Sequence, residues 1–99
     1  MEGQPDTDFG ELTRRFERFV ATLERVRRQP NRREAYHLLV ALECFAAGDA
    51  AGAERAIQNA ERLAALPAAV AAMSGIHDHM TTQDLRRRLQ QALASSSPN

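Results

Sequence analysis

The residues best suited to metal chemistry lie together at His77, Asp78 and His79. Imidazole nitrogens and carboxylate oxygens are ligands that transition metals accept. A structural zinc site needs four ligands, and the sequence has no second ligand pair at the usual zinc-site spacing. We therefore interpret residues 77–79 as a polar loop or helix cap, and we predict no metal and no cofactor.

The single cysteine, Cys44, is the one thiol that could act as a nucleophile, with a histidine as its base. It lies within an apolar run and has no glycine-rich turn beside it to hold an oxyanion. Such a cysteine is typically a buried structural thiol. No phosphate-binding glycine loop or dinucleotide fingerprint is present either. The sequence therefore predicts a protein that is not an enzyme.

Charge is the remaining chemical signal, and it is unevenly distributed. All thirteen basic residues are arginine, a residue that suits bidentate contacts with carboxylates and phosphates. A GC-rich genome would also enrich Arg together with Ala, and we prefer that explanation of the composition. Residues 13–33 carry eight arginines against two glutamates, whereas residues 34–85 carry two arginines against seven acidic residues. The basic stretch predicts a surface for an acidic or phosphate-bearing partner.

The candidate residues of this basic surface are Arg14, Arg15, Arg18 and Arg25. Nucleic acid is the alternative partner, although no DNA-reading motif is visible and no aromatic side chain is predicted to lie exposed among these arginines. The simplest alternative is a solvated helix face that also pairs with acidic residues of the following helices.

The arginines lie in a predicted first helix that starts after Asp8. Glu24 and Arg28 can form an i,i+4 pair on its surface, and the helix should end near Arg28 because Pro30 disfavours helical geometry in the residue before it. Its apolar residues follow a 3-4 spacing that puts all six on one stripe, which could serve the core or a dimer seam: Phe9, Leu12, Phe16, Phe19, Leu23 and Val26.

Two further helices form a predicted hairpin. Asn31 and Glu34 fit a capping box for a helix over residues 32–47, which is apolar on more than one face and should therefore lie at the centre. Gly48 suits the end of that helix, and Asp49 suits the cap of the next, which runs to about Leu66. The inner stripe of this third helix is mostly alanine, so it should pack very close to the second.

The rest of the chain predicts a short helix over residues 68–73, a loop over residues 76–80 and a last helix capped by Thr81. The apolar face of the last helix consists of Leu85, Leu89, Ala92 and Leu93. The longest run without charge, residues 63–77, is interrupted by Pro67 and Gly75, so we predict no membrane span.

Residues 33–66 resemble a single tetratricopeptide repeat, a helical hairpin of about 34 residues. The matching positions are Ala41, Gly48-Asp49, Ala53, Ile57 and Ala60. The sequence departs from the repeat at Ala50, where the family usually has an aromatic residue, and at Cys44, where it has a larger one. The resemblance implies that the first helix of the hairpin presents a partner surface with Ala35, Leu38, Leu42 and Phe45 at its concave positions. Because these residues are apolar, we expect the first helix of the chain, its last helix or a partner to cover them.

Together these patterns predict an all-α bundle of four to five helices around a tetratricopeptide-like hairpin. Residues 8–94 form the domain, between disordered tails at residues 1–7 and 95–99. The predicted function is a non-enzymatic, cytoplasmic protein-interaction module or adaptor, with a homodimer as one form of it. Nucleic acid is the alternative partner. The predicted partner contacts are Leu38, Leu42 and Phe45 with the four arginines Arg14, Arg15, Arg18 and Arg25.

Overall fold

The computed structural model describes residues 9–66 and 80–96. These residues contain four α-helices and no β-strand: α1 (Phe9–Arg25), α2 (Arg32–Ala47), α3 (Ala50–Ala64) and α4 (Thr82–Ser96). The all-α prediction is confirmed. The predicted tail at residues 1–7, the helix at 68–73 and all but the last residue of the loop at 76–80 lie outside the described residues. None of the helices in the described part is long and apolar enough to cross a membrane.

The first helix places its apolar stripe in the core, with one exception. Phe9 is partly buried, and the next four residues of the predicted stripe are buried together with Val20. α1 ends at Arg25 rather than near Arg28, so Val26, the last residue of the predicted stripe, lies beyond the helix and is 58% exposed.

The early end of α1 has a local cause in a Schellman motif. Arg27 takes the left-handed conformation with φ of 55°. Its N–H donates to the carbonyl of Glu24 at 3.1 Å, and the N–H of Arg28 donates to the carbonyl of Leu23 at 2.9 Å. These two hydrogen bonds satisfy carbonyls at the helix end and turn the chain towards α2.

The N-terminus of α2 is held by the predicted capping box, which is confirmed. The Asn31 side chain accepts a hydrogen bond from the Glu34 N–H at 2.8 Å, and Oε1 of Glu34 accepts one from the Asn31 N–H at 3.0 Å. The same carboxylate also accepts two hydrogen bonds from Arg28, at 2.8 and 3.0 Å. Its side chain is only 1% exposed, whereas that of Arg28 is 40% exposed. A buried carboxylate therefore joins the end of α1 to the start of α2, and this hydrogen bonding raises the pKa of Arg28.

α2 and α3 form the predicted hairpin across a short turn. Gly48 has φ of 76° at the C-cap of α2, and Asp49 accepts a hydrogen bond from the Gly52 N–H at 2.9 Å. The alanines on the inner face of α3 are buried. Gly52 leaves room here for two side chains, since a Cβ atom at this position would collide with the capping carboxylate of Asp49 and lie 2.8 Å from Sγ of Cys44. Contact with α3 leaves the Cys44 thiol only partly exposed.

The core lies between this hairpin and the other two helices. α1 and α2 both pack along α3 and α4. They face each other across the core through Phe45, whose ring centroid is 5.8 Å from that of Phe9 and 6.1 Å from that of Phe16. The chain therefore covers the inner face of its own hairpin.

The last helix closes the bundle. Thr81 and Asp84 form a reciprocal cap at its start, as the prediction of Thr81 as the cap requires. Met80, placed in a loop by the sequence, is 2% exposed and belongs to the core. α4 continues to Ser96, so the polar tail predicted from residue 95 begins with two helical residues.

The left-handed conformation of Arg27 predicts a stabilising substitution. A Cβ atom in that conformation is unfavourable by about 1 kcal/mol, a penalty that glycine avoids. We expect Arg27→Gly to raise the free energy of unfolding by roughly 0.5–1 kcal/mol in urea denaturation. Arg25→Gly, two residues earlier but helical, is the control and should lower it by about 1 kcal/mol. Destabilisation by both substitutions would contradict this account of the turn.

The unequal exposure of Arg28 and Glu34 predicts unequal mutational effects. Arg28→Met leaves a buried carboxylate without its cation, and we expect the free energy of unfolding to fall by about 2–3 kcal/mol. Glu34→Gln retains an N3 residue that can complete the capping box and leaves Arg28 free to reach water. Its expected effect is about 1 kcal/mol. Urea denaturation at neutral pH measures both losses. A larger loss of unfolding free energy in Glu34→Gln than in Arg28→Met would contradict the prediction.

Candidate binding surfaces

The predicted apolar partner surface is a part of the core. Leu38 and Phe45 are 0% exposed and Leu42 is 6% exposed. Ala35, at the same face of α2, is also fully buried. The physical reason is that α1 and α4 lie over this face, so these residues pack within the chain rather than on a surface. The prediction of Leu38, Leu42 and Phe45 as partner contacts is corrected accordingly.

One of the four predicted arginines is engaged within the bundle. Arg15 donates two hydrogen bonds to the carboxylate of Glu61 on α3, at 2.8 and 3.4 Å, and lies 4.0 Å from Glu54. The hydrogen bond to Glu61 raises the pKa of Arg15 above its usual value. Arg15 therefore holds α1 against α3, as in the alternative that pairs the basic helix with the acidic helices after it.

The other three arginines, Arg14, Arg18 and Arg25, are exposed. At 3.6 residues per turn they fall within about 40° of one another around α1 and span roughly 16 Å along it. None of them forms an ion pair with a residue between 9 and 66 or between 80 and 96. We call these three residues the α1 basic stripe.

A cleft of about 190 Å³ lies beside this stripe, between α1 and α3. Phe19 and Leu23, both nearly buried, contribute apolar walls, and Arg18 belongs to both the cleft and the stripe. The remaining lining residues are Arg15, Thr22 and Glu61. Pockets for small organic ligands usually measure about 300–1,000 Å³. The cleft is better matched to a single side chain of a partner than to a whole ligand.

Sequence reasoning missed a second exposed surface, on α2. Tyr36 is 63% exposed, and its ring contacts that of His37 with centroids 5.1 Å apart. Arg32 lies one turn before Tyr36, so an aromatic side chain does lie exposed beside an arginine. The spacing 4-3-4 through Arg32, Tyr36, Leu39 and Glu43 was the available signal. Because α2 is apolar on several faces, its sequence did not show which face would remain outside.

The two candidate chemical sites are residues 77–79 and the thiol of Cys44. Residues 77–79 lie outside the described part of the chain, and within that part no three metal-ligating side chains converge. Burial raises the pKa of the Cys44 thiol, and the nearby Asp49 and Glu43 raise it further. Since the thiolate is the reactive form, this environment disfavours nucleophilic chemistry.

Comparison with known proteins identifies no relative. No family model, no curated protein and no solved structure matches the chain. The resemblance of residues 33–66 to a tetratricopeptide repeat stays a prediction.

Arg15 is paired with Glu61, whereas the arginines of the α1 basic stripe form no ion pair with the described residues. This difference predicts unequal effects of substitution on the free energy of unfolding. Arg15→Gln should lower the free energy of unfolding by about 0.5–1 kcal/mol, because it breaks a partly exposed bridge between α1 and α3. Arg14→Gln, Arg18→Gln and Arg25→Gln should each change it by less than about 0.5 kcal/mol. Urea denaturation of the four variants checks this. A loss at Arg14 or Arg18 as large as that at Arg15 would contradict the assignment of a free surface.

Proposed function

We propose that the chain is a non-catalytic protein-interaction module that binds an acidic segment of another protein. The binding surface is the α1 basic stripe together with the cleft lined by Phe19 and Leu23. The observation that carries this proposal is the alignment, beside an apolar cleft, of three exposed arginines that form no ion pair with the described residues 9–66 and 80–96. Arginine and apolar anchors that fill small pockets are typical of the residues that dominate protein interfaces.

The charges around the stripe favour a partner with discrete carboxylates over a continuous polyanion. Exposed Glu17 lies on α1 next to the stripe, and Glu61 lines the cleft. The formal net charge of the whole chain is +0. Long-range attraction to nucleic acid depends on an excess of positive charge and on many phosphate contacts. Three arginines over roughly 16 Å supply few such contacts.

The apolar cleft also favours an acidic protein segment over nucleic acid as the partner. A phosphate backbone offers no apolar group to fill a cleft beside Phe19 and Leu23. An amphipathic helix with acidic residues next to a leucine offers both, because side chains three or four positions apart lie on one face. The carboxylates would pair with Arg14 and Arg18 while the leucine enters the cleft.

The tetratricopeptide resemblance of residues 33–66 supports a role in protein binding and remains part of the proposal. The proposed surface nevertheless differs from the one that the resemblance implied. It lies on the outer side of α1, because the inner face of the hairpin is occupied by the chain itself.

A designed peptide tests the proposal. The probe is a fluorescein-labelled, 16-residue amphipathic helix of Glu, Ala and Leu, compared with a duplex of 16 base pairs that carries the same label. We expect the peptide to bind the unmodified chain and the affinity to fall about tenfold or more in R14E/R18E/R25E, as measured by fluorescence anisotropy. Salt should weaken the binding because the charged groups lie at the surface.

The control replaces three other exposed arginines, which lie on α3 and α4: R55E/R62E/R88E. It makes the same change in net charge and should alter peptide affinity by less than about threefold, since only the general attraction changes. Equal loss in both triple variants would contradict a specific surface. Tighter binding of the duplex than of the peptide, lost in R14E/R18E/R25E, would replace the proposal with the nucleic-acid alternative.

A further inference from the structure

The outer side of α2 carries a second stripe that the α1 proposal does not use. Arg32, Tyr36, Leu39 and Glu43 recur at the spacing 4-3-4, and we call them the α2 outer stripe. The stripe lies on the side of the helix away from Leu38 and Phe45, which face the core. Three of its four residues are exposed, and Leu39 is partly buried. Tyr36 has the largest exposed fraction of the large apolar side chains that lie exposed in the described part, ahead of Val26 and Leu66.

The two ends of the stripe carry opposite charge. Arg32 lies at the N-terminal end, beside exposed Arg33, and Glu43 lies three turns along at the other end. Glu34 does not cancel the positive end, because its carboxylate is buried and paired with Arg28. Neither Arg32 nor Glu43 forms an ion pair with any residue in the described ranges. A helix face of this kind is complementary to itself when it is reversed.

A 4-3-4 spacing is typical of the seam between two packed helices, and an antiparallel pair brings the opposite charges of this stripe together. In such a pair with two-fold symmetry, Arg32 lies opposite Glu43 of the second copy, and Tyr36 lies opposite Leu39 of the second copy. Each contact occurs twice, as an isologous interface requires. The charged pairs flank the apolar centre on both sides.

We propose that the α2 outer stripe binds a second copy of the chain, with the two α2 helices packed antiparallel. The partner is fixed by the pairing of opposite charge at both ends and of the aromatic side chain with an aliphatic one at the centre. One helix face is smaller than the roughly 800 Å² per partner of a standard interface. The dimer is therefore weak and dissociates on dilution. It leaves both α1 basic stripes free, and it does not depend on the function proposed for them.

A charge exchange on the full chain tests the inference. Light scattering across a dilution series should show a dimer at high concentration. We expect the dimer dissociation constant to rise about tenfold in R32E and in E43R, since each variant places like charges at both ends of the seam. The double variant R32E/E43R restores both pairs and should dimerise like the unmodified chain. An equal mixture of R32E and E43R should form a heterodimer for the same reason.

R32E and E43R are expected to preserve the α2 helix. A glutamate in the first turn of α2 and an arginine nearer its end both suit the helix dipole, so neither substitution opposes the helix. Helical circular dichroism confirms the fold of each variant. R55E, an exposed reversal on α3, is the matched control and should leave the dissociation constant within about twofold.

Tyrosine fluorescence supplies a second readout that is specific for the seam. Tyr36 is the single tyrosine of a chain without tryptophan. Its emission should change over the same concentration range in which the scattered mass changes. A monomer at every concentration would overturn the inference, as would a dimer that R32E/E43R fails to restore or whose formation leaves the Tyr36 emission unchanged. Loss of dimerisation in R14E/R18E/R25E with retention in R32E would place the dimer seam on α1 and also overturn it.

Discussion

The carboxylate of Glu34 lies between two helix ends, and the path of the chain through residues 26–31 depends on it. It accepts hydrogen bonds from the Asn31 N–H and from both terminal nitrogens of Arg28, with almost no access to solvent. A buried charge is tolerated only when its hydrogen-bonding capacity is filled and a counter-charge is present. Both conditions are met in this structure, where α1 ends in the Schellman turn at Arg27, Arg28 pairs with Glu34, and α2 begins directly after Asn31. The connection therefore has a fixed length and direction, which places α1 over the hairpin.

The position of α1 determines which surfaces remain for function. Phe45 is enclosed by Phe9 and Phe16, so the face of α2 that a repeat protein would offer to a partner is used for the chain's own stability. The exposed surfaces of the described part include the outer side of α1, with three arginines that form no ion pair within residues 9–66 and 80–96, and the outer side of α2 around Tyr36. A weak dimer through α2 would present two basic stripes at once, and two linked contacts can exceed the affinity of either alone.

Patterns among residues close in sequence predicted most of the helices and turns. The wrong predictions concern side chains that pair with residues far away in the sequence. The capping box at Asn31 and the Gly48-Asp49 turn depend on residues close in sequence, so the bounds of α2 were predictable. The prediction of an i,i+4 pair between Glu24 and Arg28 was wrong. Glu24 accepts hydrogen bonds from Arg86, 62 residues away, and Arg28 donates to Glu34. Arg15 likewise contacts Glu61, which spacing within α1 could not show. The left-handed turn at Arg27 carries no glycine signal. Only the packing of α3 separates Arg15 from the three arginines that form no ion pair within the described residues.

Isotope-filtered nuclear Overhauser spectroscopy can show whether α1 covers the hairpin of its own chain. The sample is an equal mixture of isotopically labelled and unlabelled chains, and the contact observed is that between the rings of Phe16 and Phe45, whose centroids are 6.1 Å apart. We expect this contact to arise within single chains and to persist on dilution. A contact found only between labelled and unlabelled chains would show instead that α1 covers the hairpin of a second copy, and that the fold described for the single chain is wrong.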